Sequence, residues 1–226
     1  MATPKVRAAI LASPTDLAPH LPLSLRLSNE EECTLLLVPA GILSIGSQHA
    51  IYNLFHANMS SLAKLSSMSY TEKSKRFELF EASSRFLLCL TSKSTRPVGH
   101  EEKLNPSILN LTRICSGTAH FGLIRRKRWD PEMRSYELQL RKSARGFGLG
   151  KILIGEMERI GRVKKMDKVM LTCLKGNDAA LKFYLKQGYE ADEIDPTRMA
   201  EKEGWEDEGA EEDGAGVDYR ILSKTL

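Results

Sequence analysis

The sequence has no run of about eighteen apolar residues, so it predicts no membrane-spanning helix. Cysteine is scarce, and the four that occur are scattered, mostly within apolar stretches: Cys33, Cys89, Cys115 and Cys173. That placement favours buried free thiols in a reducing compartment over disulfides or a metal cage. Residues 1–26 lack the compact charged-then-apolar layout of a signal peptide. We therefore expect a protein of the cytoplasm and nucleus.

Two nucleotide-binding patterns are also missing around the glycine loop, which we define as Arg145 to Gly150, R-G-F-G-L-G. The loop has no Gly-Lys-Ser/Thr ending, which excludes a P-loop, and no acidic residue ends the next strand, which disfavours a dinucleotide site. It still has the features of an anion cradle, because glycines admit close backbone approach and the following helix starts with unpaired N–H groups. A turn that serves only tight packing is the alternative.

The net charge is only +4, but the charged residues are unevenly distributed along the chain. Residues 125–128 form a basic run, Arg-Arg-Lys-Arg, whereas residues 201–213 carry eight acidic side chains among Gly and Ala. Such runs are usually solvated surface, so they do not by themselves predict nucleic-acid binding. The acidic segment is too poor in apolar residues to order itself, and we predict a mobile loop over residues 198–217.

The rest of the chain reads as alternating helices and strands. Apolar spacing predicts helices over 49–65 and 151–166, and two further helices begin after the N-caps Thr71 and Asn177, the second ending at Gly188. Apolar runs predict strands over 34–39, 85–91, 113–124, 135–140, 168–174 and 218–226. Residues 92–106 predict a long loop, and residues 1 to about 32 a loosely packed arm.

Two motifs at a fixed separation resemble the GNAT superfamily of acetyl-CoA-dependent N-acetyltransferases: Arg145-x-x-Gly148-x-Gly150 and, one helix and one strand later, Asn177-x-x-Ala180-x-x-Phe183-Tyr184. The resemblance covers residues 114–226 and implies an α/β GNAT fold, with a mixed, mostly antiparallel central sheet flanked by helices. It implies a domain over residues 46–226 after a poorly matching arm, residues 1–45. It also implies acetyl-CoA as co-substrate and no metal.

Further motifs are similar to the NatD-type N-alpha-acetyltransferases, which acetylate the free N-terminal amine of core histones of types four and two-A, starting Ser-Gly-Arg-Gly. They are Y-E-L-Q-L before the glycine loop, K-V-M-L-T after the helix, D-E-x-x-P at 192–196 and the closing Y-R-I-L-S. N-M-S-S-L and S-M-S-Y-T-E-K, between residues 58 and 73, extend the likeness to residues 50–226. It implies histone N-terminal tails as partners, and a monomer without membrane or direct nucleic-acid contact.

The resemblance also assigns roles to residues. Glu137 is the implied base acting through water, and Tyr184 the implied acid or hydrogen-bond donor at the CoA sulfur; a solvent-facing Glu and a packing aromatic are the alternatives. The implied CoA-binding residues are Leu138, Leu140, Arg145, Gly146, Phe147, Gly148, Leu149, Gly150, Lys151, Asn177, Ala180 and Phe183, with a backbone N–H near Leu138 holding the oxyanion. The residues implied to line the peptide pocket, or else to be structural, are Tyr70, Tyr136, Thr172 and Tyr219.

One departure from the family concerns the substrate. Where the family has an acidic residue that reads the substrate arginine, residues 122–125 are Gly-Leu-Ile-Arg and lead into the basic run, which would repel a cationic tail. The acidic groups that can substitute are Asp130, Glu132, Asp192, Glu193 and the acidic loop. A GNAT acetyltransferase for another protein N-terminus, a lysine or a small amine, and a non-catalytic acetyl-CoA-binding protein, are the alternative functions.

Overall fold

The computed structural model describes residues 8, 10–91, 115–125, 131–198 and 217–226. The helices are α1 (Pro14–Leu17), α2 (Ile45–Lys64), α3 (Glu72–Leu79), α4 (Leu149–Val163) and α5 (Asp178–Lys186). The strands are β1 (Leu23–Arg26), β2 (Glu32–Pro39), β3 (Arg85–Thr91), β4 (Cys115–Arg125), β5 (Pro131–Leu140), β6 (Lys168–Leu174), β7 (Glu190–Ala191) and β8 (Tyr219–Thr225).

These strands form one sheet in the order β1-β2-β3-β4-β5-β6-β8-β7. Neighbouring strands are antiparallel except for the central pair, β5 and β6, which is parallel. A parallel pair needs a long crossover connection, and α4 supplies it. The expected fold class is therefore confirmed: a mixed, mostly antiparallel sheet with helices on its faces.

Helices cover both faces of the sheet. α4 and α5 pack on one face, where Leu153 and Met157 of α4 are fully buried in the larger core cluster. α2 lies on the other face, where Ile51 packs against Phe86 and Leu88 of β3. Because side chains alternate along a strand, β5 presents different residues to the two helical layers.

The N-terminal part of the chain is packed, so the prediction of a loose arm was wrong for residues 10–32. Leu17 of α1 is 1% exposed and Leu27, after β1, is 4% exposed. β1 pairs with β2 at the edge of the sheet, well before residue 46. Four residues of β1 give too short a period to be recognised without their partner strand.

The other predicted elements are confirmed within a few residues. The helix expected from residue 49 begins at Ile45, because Ser44 caps it, and Thr71 caps α3 through a reciprocal pair of hydrogen bonds with Ser74. The strands over 85–91 and 168–174 have the predicted bounds. The loop expected over 92–106 and the charged runs at 126–128 and 201–213 lie outside the described residues.

Within the described parts of the chain, no helix is both long and apolar enough to cross a membrane. Cys33, Cys89 and Cys173 are buried free thiols, as the sequence indicated.

The two central strands separate halfway along their length. The β5–β6 pairing ends at Ser135 and Leu171, although β5 continues to Leu140 and β6 to Leu174. The remaining halves therefore leave an opening in the middle of the sheet, which we call the β5–β6 gap.

A β-bulge lies at the same level. His120 of β4 pairs with Glu137, and Phe121 pairs with Ser135, so Tyr136 is an extra residue on β5. A bulge bends its strand and increases the local twist. This bend turns the end of β5 away from β6 and gives Glu137 its place at the gap.

Candidate active site

The β5–β6 gap exposes strand edges that can bind a ligand. Beyond Ser135, β5 has only β4 as a strand partner in the described structure, and beyond Leu171, β6 has only β8. Such edges bind extended molecules that carry amide groups of their own. Leu138, whose backbone N–H is implied to hold the oxyanion, lies in this part of β5.

The glycine loop connects the end of β5 to α4. Gly146 and Gly148 have φ of +85° and +86°, in the left-handed region that favours glycine. Gly148 is the N-cap of α4, and the first-turn N–H groups, from Leu149 to the exposed Lys151, have no acceptor within the helix. These N–H groups and the helix dipole favour a phosphate at this position.

α5 lies beside the glycine loop. The ring of Phe183 comes within 3.4 Å of the position that a Cβ on Gly150 would occupy, and Leu140 within 3.6 Å. Asn177 caps α5 by accepting a hydrogen bond from the N–H of Ala180. The structure thus brings implied CoA-binding residues from β5, the glycine loop and α5 to one place, and their set of amides and glycines fits an anionic, amide-bearing molecule.

Two residues of the implied CoA set have other side-chain roles. Leu149 is 1% exposed, and Phe147 packs against the core cluster under α4. Both side chains anchor the loop; that of Leu149 is too deeply buried to contact a ligand, whereas that of Phe147 is half-buried.

The carboxylate of Glu137 lies at the gap, on the face covered by α2 and α3. Its side chain is 13% exposed, which excludes the solvent-facing alternative. Oε1 lies 2.6 Å from Nζ of Lys75, and Oε2 accepts a hydrogen bond from Gln139 at 2.8 Å. Burial raises the pKa of the Glu137 carboxyl above its usual range, while Lys75 and Gln139 oppose that rise.

Lys75 of α3 is a residue that the sequence pattern did not identify. It is 10% exposed, its ammonium contacts Glu78 at 2.8 Å, and it lies 4.6 Å from the centre of the Phe55 ring. Burial alone would lower the pKa of Lys75, but the two carboxylates hold it above its usual range. A signal was present, because Lys75 precedes the buried Leu79 by four residues and so shares its helix face.

Two neutral rings flank Glu137. His120 is a core residue: it stacks on Phe86 with centroids 4.7 Å apart, and burial lowers its pKa to about 3. Tyr184 is 8% exposed, and burial raises its pKa well above the usual range. Tyr184 therefore keeps its proton at neutral pH, and it also packs edge-on against Phe183, so the two roles considered for it are compatible.

Thr172 and Tyr219 share one face of the sheet. Tyr219 pairs with Leu174, which lies two residues after Thr172 on β6 and so faces the same way. Cys173, between them, points into the core under α4. Thr172 is exposed, so this face is open to a ligand on the side away from α4.

Tyr70 reaches the same side from the connection between α2 and α3. Its hydroxyl lies 3.1 Å from Nδ1 of His56, and its ring centroid lies 4.9 Å from that of Phe55. Burial and the nearby negative charge of Glu137 raise the pKa of Tyr70. Three of the four implied peptide residues thus surround Glu137 or the open face; the side chain of Tyr136 lies outside the described set.

A second contact that the sequence did not predict joins the α2–α3 connection to β8. Ser67 donates its N–H and its hydroxyl to the carboxylate of Asp218, each at 2.6 Å. These hydrogen bonds lower the pKa of Asp218. Because Asp218 directly precedes Tyr219, an ionised carboxylate lies beside the open face.

Asp192, by contrast, cannot be an acidic reader of the substrate. It is 2% exposed, and it pairs with Lys168 at 2.6 Å. The suggestion made for it from the sequence was wrong, because a family motif gives no information about burial. Glu193 is exposed, and Asp130 and the acidic run lie outside the described residues.

Comparison with known proteins gives one family and several similar structures. Residues 116–189 match the acetyltransferase (GNAT) family. The NatC complex bound to Gag peptide and CoA is similar with a TM-score of 0.55 and 18% identity, over 85% of this chain and 98% of that chain. Arabidopsis thaliana NAA60 in complex with a bisubstrate analogue is similar at 0.52 and 14%, over 85% and 99%. The GNAT domain of S. lividans PAT is similar at 0.53 and 11%, over 90% and 96%.

The matched segment contains the β5–β6 gap, the glycine loop and all of α5. The chain has the GNAT fold. The family match is confined to residues 116–189, and among the proteins that share the fold the NatC complex is bound to CoA. No cluster of three His, Cys, Asp or Glu that could hold a metal ion occurs among the described residues.

Proposed function

We propose that this protein is an N-alpha-acetyltransferase that acetylates the free N-terminal amine of core histones of types four and two-A. The observation that carries the proposal is the carboxylate of Glu137, which is buried at the β5–β6 gap beside the glycine loop and faces the side on which Thr172 is open. The NatC complex, which has the same fold, binds a peptide together with CoA, and this supports a peptide substrate here.

Acetyl transfer to an amine requires a base near the amine. An α-amino group has a pKa of about 8, so near neutral pH a modest base acting through water is enough to deprotonate it. Glu137 fits this role, because its pKa is raised by burial while Lys75 keeps it ionised. Acetyl-CoA supplies the acetyl group as a thioester, whose carbon–sulfur bond breaks as the amine nitrogen forms the new amide.

The leaving thiolate needs a proton, and Tyr184 is the group we assign to supply it. Tyr184 belongs to the core cluster on the α4 face, whereas Glu137 contacts α3 on the opposite face. Base and acid thus approach the gap from opposite sides of the sheet, so a proton removed from the amine is not returned by the same group.

The charge of the open face suits a basic peptide. Asp218 is ionised, and Ser67 holds it beside Tyr219. Its carboxylate supplies a negative charge that residues 122–125, where the family has an acidic residue, do not supply. We propose that the partners are histone N-terminal tails and that the protein acts in the cytoplasm and nucleus. We also propose that it acts as a monomer and makes no direct contact with nucleic acid. These histones begin Ser-Gly-Arg-Gly, so a cationic side chain occurs at the third residue, two residues after the one that carries the amine.

Mass spectrometry of acetyl transfer tests the proposal. The protein and acetyl-CoA are incubated with a peptide beginning Ser-Gly-Arg-Gly, the same peptide with its N-terminus blocked, and one with Arg changed to Ala. We expect transfer only to the free N-terminus, weakened by the Arg-to-Ala change. Transfer to a lysine of the blocked peptide would instead assign a lysine acetyltransferase, and no transfer to any peptide would reject the proposal.

A further inference from the structure

A continuous chain of hydrogen bonds joins the glycine loop to Glu137. Nη2 of Arg145 donates to Oδ1 of Asn58 at 2.7 Å, and Nδ2 of Asn58 donates to Oε1 of Gln139 at 2.9 Å. Nε2 of Gln139 then donates to Oε2 of Glu137 at 2.8 Å. Three elements contribute to it, since Asn58 is on α2, Gln139 and Glu137 are on β5, and Arg145 opens the loop.

The direction of this chain is fixed at both ends. A guanidinium has donors but no acceptor, so Asn58 must turn its amide oxygen to Arg145 and its NH₂ to Gln139. Gln139 must then accept from Asn58 and turn its own NH₂ to Glu137. A protonated Glu137 that donated to Gln139 would need both amides to turn, which Arg145 does not permit. The chain therefore always ends with a donor to the carboxylate, and this favours its ionised form.

Asn58 also fixes the place where the loop begins. Its Nδ2 donates a second hydrogen bond, at 3.0 Å, to the carbonyl of Leu140, the last residue of β5, and Arg145 approaches the same carbonyl at 3.3 Å. Gln139 is only 6% exposed, so its amide must find its partners within the protein. One side chain of α2 thus holds both the end of β5 and the first residue of the glycine loop.

We infer that Asn58 and Gln139 are positioning residues, which join Arg145 of the glycine loop to the carboxylate of Glu137 in a one-way series of donors. The consequence is that binding of CoA changes the hydrogen bonding of the proposed base, Glu137. An anion at the glycine loop competes with Asn58 for the guanidinium of Arg145, and each loosened link weakens the next. The inference rests on the proposed role of Glu137, but not on the identity of the peptide.

Other charged and titratable groups also face Glu137. A test must therefore distinguish the effect of the hydrogen-bond chain on Glu137 from the effects of these groups. Lys75 and Glu78 approach it from α3, His120 from β4, Tyr70 from the α2–α3 connection and Tyr184 from α5. The test variants are therefore neutral replacements that leave these groups in place. Asn58→Leu and Gln139→Leu each remove one link at nearly constant side-chain volume, and Asn53→Leu, on the exposed side of α2, is the matched control.

The direct measurement is the titration of the Glu137 carboxyl by ¹³C NMR on the full chain, with its signal assigned by Glu137→Gln. Gln139→Leu removes a hydrogen bond to the charged form, so we expect the midpoint to rise by about one pH unit. Asn58→Leu should raise it by about half a unit, because Gln139 is then free to turn. Asn53→Leu should leave it unchanged. Thermal unfolding of each variant identifies any that is not folded.

Addition of CoA tests the transmission. In the unmodified protein CoA should raise the Glu137 midpoint, and in Asn58→Leu that rise should shrink to less than about half. A titration of Asn58→Leu that coincides with the unmodified protein, or an equal effect of CoA on both, would overturn the inference. These measurements use no peptide, so a failure to acetylate histone peptides would reject the proposed function and leave the outcome here intact.

Discussion

The ammonium nitrogen of Lys75 lies 2.6 Å from Oε1 of Glu137, and the two side chains are 10% and 13% exposed. Two charges so far from water are stable together only because each compensates the other, and loss of either leaves a buried charge without its partner. The ionised state of the proposed base thus depends on α3, a helix more than fifty residues before it in sequence.

The first prediction concerns Lys75→Met. Without the ammonium, burial becomes the main influence on Glu137, so its pKa should rise and the acid limb of kcat/KM against pH should move up by about one unit or more. Activity at pH 6 should fall more than activity at pH 8. Lys73→Met, on the exposed side of α3, is the control. An acid limb that is the same in both variants would contradict the pairing.

Glu137→Gln tests the base itself. The amide keeps the shape of the side chain and can still accept from Lys75, so the fold should persist, but kcat should fall by about 10²–10⁴. Glu78→Gln changes the other partner of Lys75, which is half exposed, and should cost no more than about 1 kcal/mol in transition-state stabilisation. Steady-state kinetics with acetyl-CoA distinguish the two. Equal kcat values in Glu137→Gln and the unmodified protein would reject the role.

Gly148→Ala tests the glycine loop. Gly148 has φ of +86°, and the strain of a side chain in that conformation should lower the free energy of unfolding by about 1–2 kcal/mol. The loop should also relax away from its anion-binding shape and raise KM for acetyl-CoA. Gly155→Ala, within α4, meets nothing within 4 Å of the added Cβ and should stabilise by about 0.5–1 kcal/mol. Urea unfolding and acetyl-CoA kinetics measure both variants.

The sequence predicted the scaffold well because its signals are local. Period, caps and glycines gave α4, α5 and the strands beside them, and two motifs at a fixed separation gave the fold class. The residues that set the chemistry of Glu137 could not be found this way. Lys75 and Asn58 come from helices far away in sequence, and only the folded sheet brings them to β5.

The same limit applies to burial and register. Asp192 reads as an acidic surface residue but is buried against Lys168, whereas Asp218, which the motifs passed over, is held at the open face by Ser67. The bulge at Tyr136 depends on how β4 and β5 align, which no single strand encodes. Local sequence patterns therefore predict the helices and strands, whereas the pairing of strands and the packing of helices determine which of their polar residues come into contact.

Asp195 gives a prediction about acid stability. It is fully buried; burial alone would raise its pKa, but hydrogen bonds from Thr197, the Ile221 N–H and Arg220 lower it. Because the folded pKa lies below the unfolded value of about 3.9, this contribution is complete above that pH and is lost as the pH falls through the folded value. Asp195→Asn should therefore cost about 3 kcal/mol at pH 7 and progressively less below pH 4. Urea unfolding at several pH values measures this, and a cost that does not change with pH would contradict it.

Asp218→Asn tests how the open face selects a basic peptide. Neutralising Asp218 removes the negative charge beside Tyr219 and weakens the link to Ser67. KM for a Ser-Gly-Arg-Gly peptide should rise about fivefold, in keeping with one exposed ion pair, while KM for the Arg-to-Ala peptide stays the same. Asp167→Asn, at an exposed turn before β6, is the matched control and should change neither. If Asp218→Asn weakened both peptides equally, Asp218 would hold the α2–α3 connection in place without contacting the substrate arginine.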